Sequence, residues 1–173
     1  AVLDVSASRK LVKETGDETS VAVHFNNAKA LLDDCKKNGI KVHGHVLVWH
    51  NQTPDAFFRE GYSATGAYVS REVMLGRLEN YIRLVFEYTE ANWPGVIVSW
   101  DVVNEAMTDD DSAEIPYRQS LLYQIAGDEF IAKAFEYAHE ADPNALLFYN
   151  DYNAANPGKR DRIYNMVKKM KDA

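Results

Sequence analysis

The sequence of 173 residues contains a single cysteine, Cys35, so no disulfide can form within the chain. Basic residues are also scarce, because 19 Lys and Arg stand against 26 Asp and Glu. The basic residues are scattered along the chain and the net charge is −7. Nucleic acid is therefore excluded as an expected partner.

Long hydrophobic runs are missing as well. No apolar segment approaches the length that crosses a bilayer, so we expect no membrane partner. The first ten residues, AVLDVSASRK, lack both the basic start and the apolar centre of a signal peptide. The numbered chain is therefore expected to be soluble, and either mature, cytoplasmic or trimmed.

Apolar residues are abundant, with 46% hydrophobic and 12% aromatic content, which is enough for one sizeable core. We therefore expect a single domain over residues 1–173. Three apolar segments rich in β-branched and aromatic residues predict strands. These segments are Ile40–Trp49, Val96–Glu105 and Ala145–Tyr149.

Helical periodicity and helix-start residues occupy the rest of the chain. Ser70 is placed to cap a long helix, and Asp128 to cap a shorter one that Pro143 stops. The predicted helices are a short one near Ser6–Lys13 in an otherwise loop-like start, Asn26–Asn38, the long helix from Ser70 to Pro94, Tyr117–Ile125, Asp128 to about Glu140, and one opened by Pro157. The second has an apolar stripe at Ala28, Leu31, Leu32 and Cys35; the long helix has one at Met74, Leu78, Tyr81, Ile82, Val85 and Phe86.

Strands that alternate with helices indicate βαβ units and a parallel sheet. Right-handed crossovers then place the carboxyl ends of all three strands at one edge. The polar groups at those ends are His50, Asn104–Glu105 and Asn150–Asp151. This position marks the active face of barrels and of open sheets alike. A doubly wound sheet would need a glycine-rich phosphate loop, which the sequence lacks, so the pattern favours a barrel.

Strand alternation tests whether Asp101, which lies earlier on the same predicted strand, could act together with Glu105. Asp101 and Glu105 fall on one face, but at roughly 3.3 Å per residue they lie about 13 Å apart, too far for a catalytic pair. We therefore interpret Asp101 as a buried structural acid that pairs with a histidine or arginine of a neighbouring strand. By the same counting, His43, His45, Leu47 and Trp49 share a face.

Two other clusters have a plain and a functional interpretation. His43 and His45 could place two imidazoles on one metal ion, but no third ligand is evident, so packed and hydrogen-bonded histidines are the better interpretation. The acidic run Asp109–Asp111 could bind calcium, but it lacks the spacing of an EF-hand, which favours a solvated turn. We expect neither a metal nor a cofactor.

Three segments together resemble a known family. GHVLVWH at Gly44–His50, WDVVNEA at Trp100–Ala106 and YNDYN at Tyr149–Asn153 are similar to three successive signatures of the family 10 glycoside hydrolases. These are mostly endo-β-1,4-xylanases with a (β/α)8 barrel and a retaining mechanism. The motifs come in the family's order over nearly the whole chain. One departure is Val46, where the family commonly has threonine.

The resemblance implies a role for each motif residue. Glu105 corresponds to the family's acid/base, and Asn104 to the partner of the 2-hydroxyl of the sugar at the cleavage point. His50 resembles a histidine that contacts the same sugar, and Trp49 belongs to the same motif. Tyr152 is similar to a residue on the leaving-group side. The implied substrate is xylan or a xylo-oligosaccharide, and the implied location is extracellular.

Retaining chemistry also shows what the chain lacks. It needs a second carboxylate as nucleophile about 5–5.5 Å from the acid. The family's nucleophile lies on the seventh strand in a Thr-Glu-Leu-Asp-like setting, and no such segment is present. Thr89-Glu90 ends a helix, and the upstream Glu-Asn-Glu-Met-Lys-Pro signature is also absent. We therefore expect the chain to cover about helix 2 to helix 5 of the barrel.

A three-stranded piece of a barrel would expose two unpaired strand edges and apolar surface. Hence we expect complementary barrel segments, or another copy of the chain, to complete it. Two functions remain open at this point. One is a retaining xylanase, or its middle segment, that uses Glu105. The other is a non-catalytic glycan-binding or structural fragment, and a preference for cellulose is a weaker possibility.

Overall fold

A computed structural model describes residues 2–173. Within these residues, nine α-helices and β-strands follow one another. In order they are α1 (Val5–Thr15), α2 (Lys29–Asn38), β1 (Val42–Trp49), α3 (Arg71–Asn92), β2 (Ile97–Asn104), α4 (Leu121–Ala126), α5 (Glu129–Ala141), β3 (Leu146–Asn150) and α6 (Pro157–Asp172). Three short 3-10 turns at His50–Gln52, Asp55–Phe58 and Glu60–Tyr62 lie in the segment between β1 and α3.

The three strands form one parallel sheet in the order β1-β2-β3. Their carboxyl ends are level, since Trp49 pairs with Asn104 and Asn104 pairs with Asn150. The predicted parallel sheet, and the meeting of polar groups at one of its edges, are both confirmed. Within the described part of the chain, every helix is too short or too polar to cross a lipid bilayer.

The outer face of the sheet packs against helices and forms the core. Trp100 of β2 lies directly over Gly44 of β1, where an added Cβ atom would stand 2.2 Å from the indole ring. Gly44 is thus required for this close approach. Ser70 caps α3 as predicted, since its Oγ accepts a hydrogen bond from the Val73 amide at 3.3 Å. All six apolar positions predicted for α3 are buried.

The inner face of the sheet is open. Leu146 and Phe148 of β3 are 62% and 47% exposed, and the side chains of His43 and His45 are exposed as well. The prediction that Leu47 shares a face with His43 and His45 is wrong, because Leu47 is buried while both histidines are exposed. The reason is a shift in the pairing of β1 with β2 between His45 and Val48, which interrupts strict alternation.

Several predicted helix boundaries differ from the structure. α1 is a full helix rather than a short one, because Asp4 caps its first turn and Gly16, at φ 72°, ends it. Leu31, placed on the buried stripe of α2, is 64% exposed. α4 starts only at Leu121, since the chain before it pairs with the segment after β2.

Asp128 does not cap α5 with its side chain, contrary to the prediction. Its carboxylate instead accepts hydrogen bonds from the Tyr117 hydroxyl, at 2.9 Å, and from Lys169. It therefore ties the segment before α4 to α6.

Arg77 is the largest fully buried side chain and anchors the segment between β1 and α3. Its guanidinium pairs with Glu18, donates to the carbonyls of Phe57 (2.7 Å) and Arg59 (2.9 Å), and lies 3.9 Å from the centre of the Tyr62 ring. Burial lowers the pKa of Arg77, while Tyr62 and Glu18 act to raise it. Two loops and a helix thus depend on one buried cation.

We predict that Arg77→Met lowers the free energy of unfolding by about 3 kcal/mol, because the carbonyls of Phe57 and Arg59 lose their donor and Glu18 loses its ion pair. The matched control is Arg83→Met on the same helix, whose exposed pair with Glu87 contributes less than about 0.5 kcal/mol. Urea unfolding measures both values. Arg77→Met should also speed amide exchange at Gly61, whose N–H donates to Glu18 at 2.9 Å. Equal losses for the two variants would contradict the anchoring role.

Candidate active site

Glu105 lies immediately after β2 in the left-handed backbone region, at φ 57°. Few residues other than glycine adopt this conformation, so neighbouring groups must hold it. Its amide donates to the Asn150 carbonyl at 2.9 Å, and its carbonyl accepts from Arg118 Nε at 2.8 Å. Both peptide groups that flank the Glu105 Cα atom are therefore fixed, and the carboxylate projects from a rigid backbone.

The Glu105 carboxylate contacts the strand next to it. Trp49 Nε1 donates to Glu105 Oε2 at 3.0 Å, so the last residue of β1 orients the acid at the end of β2. Glu105 is only partly buried and keeps its other carboxylate oxygen, Oε1, free of protein hydrogen bonds within residues 2–173. The geometry can therefore present one oriented carboxyl group to a ligand.

Asn104 is 3% exposed and lies between the other two strands. With its amide oriented so that both atoms find partners, Nδ2 donates to the Asn150 carbonyl at 3.1 Å and Oδ1 accepts from Trp49 Nε1 at 3.3 Å. A carboxamide has four hydrogen-bonding positions, so these contacts do not exhaust it. The Trp49 indole N–H is thus shared between Asn104 and Glu105.

His50 follows β1 directly and stands edge-on to Trp49, with ring centroids 6.4 Å apart. Burial lowers the pKa of His50, and the positive charge of Arg118 lowers it further. The negative charges of Glu105 and Asp151 act in the opposite direction. The structure therefore brings His50 into the same electrostatic environment as Glu105.

Asp101 lies deeper on β2 and is 9% exposed. Its two oxygens bind His45 Nδ1 at 2.8 Å and His43 Nε2 at 3.1 Å, and the other ring nitrogen of His43 contacts Ser99 Oγ at 2.7 Å. The prediction of a structural acid paired with a histidine of a neighbouring strand is confirmed. His43 and His45 are hydrogen-bonded, as predicted, but their side chains are exposed on the inner face rather than packed.

The segment after Glu105 is held by the end of β3. The Tyr149 hydroxyl accepts from the amides of Ala106 (2.9 Å) and Met107 (3.2 Å) and donates to Asp151. Burial raises the pKa of Tyr149, and Asp151 raises it further, so the phenol keeps its proton. The Asp151 side chain is 1% exposed and pairs with Lys159 at 3.0 Å.

Tyr152 is 43% exposed, and its hydroxyl accepts from Arg118 Nη2 at 2.9 Å and contacts Asp109. Asp109 also accepts from Lys159 Nζ at 2.9 Å. Burial raises the pKa of Asp109, but bonds from Tyr152 and Lys159 outweigh this effect and bring it to about 2. The prediction of a merely solvated acidic turn is therefore wrong at Asp109, because this carboxylate is built into the site.

Sequence reasoning missed Arg118 and Lys159. Lys159 carried a signal, since it continues the apolar stripe of α6 that includes Ile163 and Met166, and a lysine on such a stripe indicates a buried partner. Arg118 carried none, because it lies in a segment without periodicity.

Among residues 2–173, no three His, Cys, Asp or Glu side chains converge as metal ligands.

The comparison with protein families gives one match. The model described as "Glycosyl hydrolase family 10" matches residues 8–173. Among curated proteins, the chain is 46% identical over 160 residues to an endo-1,4-beta-xylanase/feruloyl esterase of Xylanibacter ruminicola. This alignment covers 87% of the chain and 21% of that protein.

Two solved structures have the same fold. The N-terminal endo-1,4-beta-D-xylanase 10B of Clostridium thermocellum, complexed with xylohexaose, is 37% identical with a TM-score of 0.86 and covers 99% of this chain and 35% of its own. The intracellular xylanase of Thermoanaerobacterium saccharolyticum, in a glutamate-to-alanine mutant with xylotriose, is 39% identical with a TM-score of 0.79. That match covers 87% of this chain and 46% of the other.

These matches confirm the predicted fold class, since the three strands and their helices correspond to part of a (β/α)8 barrel. The chain spans less than half of the length of the relatives it matches. One of them is described as intracellular, so an extracellular location is not general among these proteins.

The charges around His50 generate a test by NMR titration. The His50 midpoint should fall below 6.5, the value of an unperturbed histidine. Arg118→Gln should raise it because a repelling positive charge is lost, and Glu105→Gln should lower it because an attracting negative charge is lost. Arg160→Gln, the loss of an exposed arginine of α6, is the control and should leave the midpoint in place. Shifts of the opposite sign would contradict this placement of His50.

Proposed function

The chain belongs to glycosyl hydrolase family 10, and we propose that residues 1–173 form part of the catalytic (β/α)8 domain of an endo-1,4-β-xylanase. The proposed reaction is the retaining endo-hydrolysis of β-1,4-xylosidic linkages in xylan. In it, Glu105 donates a proton to the leaving oxygen and later withdraws one from water. The family match and the names of the relatives support the substrate class.

The contact between Trp49 and Glu105 carries the proposal. A proton donor must hold its carboxyl group in one orientation toward the glycosidic oxygen. The indole N–H at 3.0 Å orients one carboxylate oxygen and leaves the other for the leaving group. The rigid backbone on both sides of Glu105 supports the same role, because a mobile donor would lose most of its effect.

The remaining motif residues surround this carboxyl group. We assign Asn104 to the 2-hydroxyl of the sugar at the cleavage point, using the amide positions that Asn150 and Trp49 do not occupy. His50 and Trp49 are assigned to the same sugar, since both lie at the end of β1. Tyr152 is assigned to the leaving-group side, where its ring is 43% exposed.

The nucleophile is proposed to come from outside residues 1–173. Asp101 cannot serve, because both of its oxygens are bound by His43 and His45. Asp109 and Asp151 are likewise held by Lys159. The Thermoanaerobacterium enzyme was solved with oligosaccharide after replacement of either of two different glutamates by alanine, which supports a pair of carboxylates.

The proposed partner is a set of complementary barrel segments or another copy of the chain. The support lies on the open inner face, where Leu146 and Phe148 are exposed beside the polar groups of the site. The outer edges of β1 and β3 pair with no strand among residues 2–173. An apolar face next to unpaired strand edges favours occupation by further strands.

The acid/base role is tested in the completed barrel, meaning this chain together with the segments that flank the matched region in the Clostridium thermocellum enzyme. Glu105→Ala should reduce release of reducing sugar from xylan by about 100-fold or more. The same variant should still release the leaving group of a dinitrophenyl xylobioside in the first step, because that leaving group needs no proton. Added azide should restore turnover of that substrate. Glu140→Ala, at an exposed glutamate of α5, is the control.

Unchanged xylan cleavage by the completed barrel after Glu105→Ala would refute the assignment. The alternative is a non-catalytic glycan-binding fragment. It would be favoured if the unsubstituted completed barrel bound xylo-oligosaccharide but did not cleave xylan.

The partner proposal predicts a change in stability. Adding the complementary segments should raise the urea midpoint of this chain, because they bind the folded state only. Phe148→Asp should abolish the rise, since it places a charge on the inner face. Tyr68→Asp is the matched control, because Tyr68 is equally exposed at 47% but lies outside the sheet. A stable, cooperatively unfolding monomer that the segments leave unchanged would contradict the proposal, and a dimer by sedimentation would favour a second copy.

A further inference from the structure

The chain beyond Glu105 returns to pass beside it. The Arg118 amide donates to the Ala106 carbonyl at 2.8 Å, and the Thr108 amide donates to the Pro116 carbonyl at 2.9 Å. Met107 and Tyr117 form an antiparallel bridge between these bonds. The backbone of Arg118 is therefore fixed next to that of Glu105, although the residues are 13 positions apart.

The Arg118 side chain joins two parts of the site. Its Nε donates to the Glu105 carbonyl at 2.8 Å, and its Nη2 donates to the Tyr152 hydroxyl at 2.9 Å. Nη2 also lies 3.4 Å from Asp109 Oδ2 and 3.5 Å from the Met107 carbonyl. A guanidinium is planar and rigid, so the two main contacts are held at a fixed separation.

Both ends of this connection are otherwise constrained. Glu105 keeps an unfavourable left-handed backbone, so the direction of its side chain depends on the groups that hold its peptide bonds. The Tyr152 hydroxyl is engaged by Arg118 and Asp109, and Lys159 Nζ lies 4.6 Å from the centre of its ring. The Tyr152 ring therefore has little freedom to turn independently of Arg118.

We infer that Arg118 is a positioning residue that fixes the proton-donating Glu105 relative to the Tyr152 ring on the leaving-group side. This inference rests on the proposed function of Glu105. Arg118 itself contacts the backbone carbonyl of Glu105 and not its carboxyl group. Its effect is that the proton donor and the surface beneath the departing sugar keep one spacing during the reaction.

The inference predicts different losses for different leaving groups. In the completed barrel, Arg118→Ala should lower kcat/KM on xylotetraose by about 10- to 100-fold, because small misplacements of a proton donor are costly. On dinitrophenyl xylobioside, which needs no proton and has no leaving-group sugar, the loss should stay below about threefold. Arg118→Lys should restore little, since an ammonium cannot hold two partners in the same fork.

Arg162→Ala is the matched control. Arg162 is also a largely buried arginine, and it pairs at 2.9 Å with Asp111 of the same acidic segment, but no hydrogen bond links it to Glu105 or Tyr152 in the described chain. In this variant, a purely structural loss should reduce kcat/KM by the same factor on both substrates. Thermal unfolding of each variant shows whether comparable stability is lost.

A double variant tests whether Arg118 acts through Glu105. If it does, adding Arg118→Ala to Glu105→Ala should cause little further loss of kcat on xylotetraose, because the positioned group is already gone. KM should still rise through the loss of order at Tyr152. Full additivity in kcat would contradict the coupling.

The outcomes separate the inference from the proposed function. Equal losses on both substrates in Arg118→Ala, or the same discrimination in Arg162→Ala, would overturn the positioning role and leave the role of Glu105 intact. Unchanged xylan cleavage in Glu105→Ala would overturn both. If Arg118→Ala does not fold, Arg118→Lys provides the same comparison with a smaller change in packing.

Discussion

The parallel pairing that brings three strand ends level governs the contacts among Trp49, Asn104, Glu105 and Asn150. Trp49 lies beside Asn104, and Asn104 lies beside Asn150. The hydrogen bond from Trp49 to Glu105 joins residues 56 positions apart, so it exists only while this register holds. A slip by one residue would turn alternate side chains to the opposite face and separate the indole from the carboxylate.

The two faces of the sheet have different chemistry, and this explains why both oxygens of Asp101 are bound while Glu105 keeps an oxygen without a partner among residues 2–173. The outer face packs apolar side chains against α3 and α5, whereas the inner face carries His43, His45 and Asp101. A carboxylate that is 9% exposed needs partners to offset the loss of water, and the two histidines provide them. Asp101 is therefore fixed in a structural role, and Glu105 remains the group with an unoccupied oxygen.

Local sequence patterns predicted the parts of the structure that depend on local physics. The strands, the capped helix after Ser70 and the gathering of polar groups at one edge follow from periodicity and from the geometry of parallel crossovers. Contacts between distant segments escaped prediction, as at Asp109, which pairs with Lys159 fifty residues away. Leu31 was misplaced for a related reason, since a pattern shows which residues form a stripe but not whether a neighbour covers it.

Residues 2–173 already supply several contacts that orient Glu105. Asn150 and Arg118 hold its backbone, Tyr149 holds the segment after it, and Trp49 holds its carboxylate. Under the proposed function, completion of the barrel would therefore find Glu105 already oriented and would have to bring the nucleophile to about 5–5.5 Å from it. An error in the docking of complementary segments would change that distance without changing the orientation of the acid. Errors in docking should therefore reduce activity strongly and leave the structure of the site around Glu105 nearly unchanged.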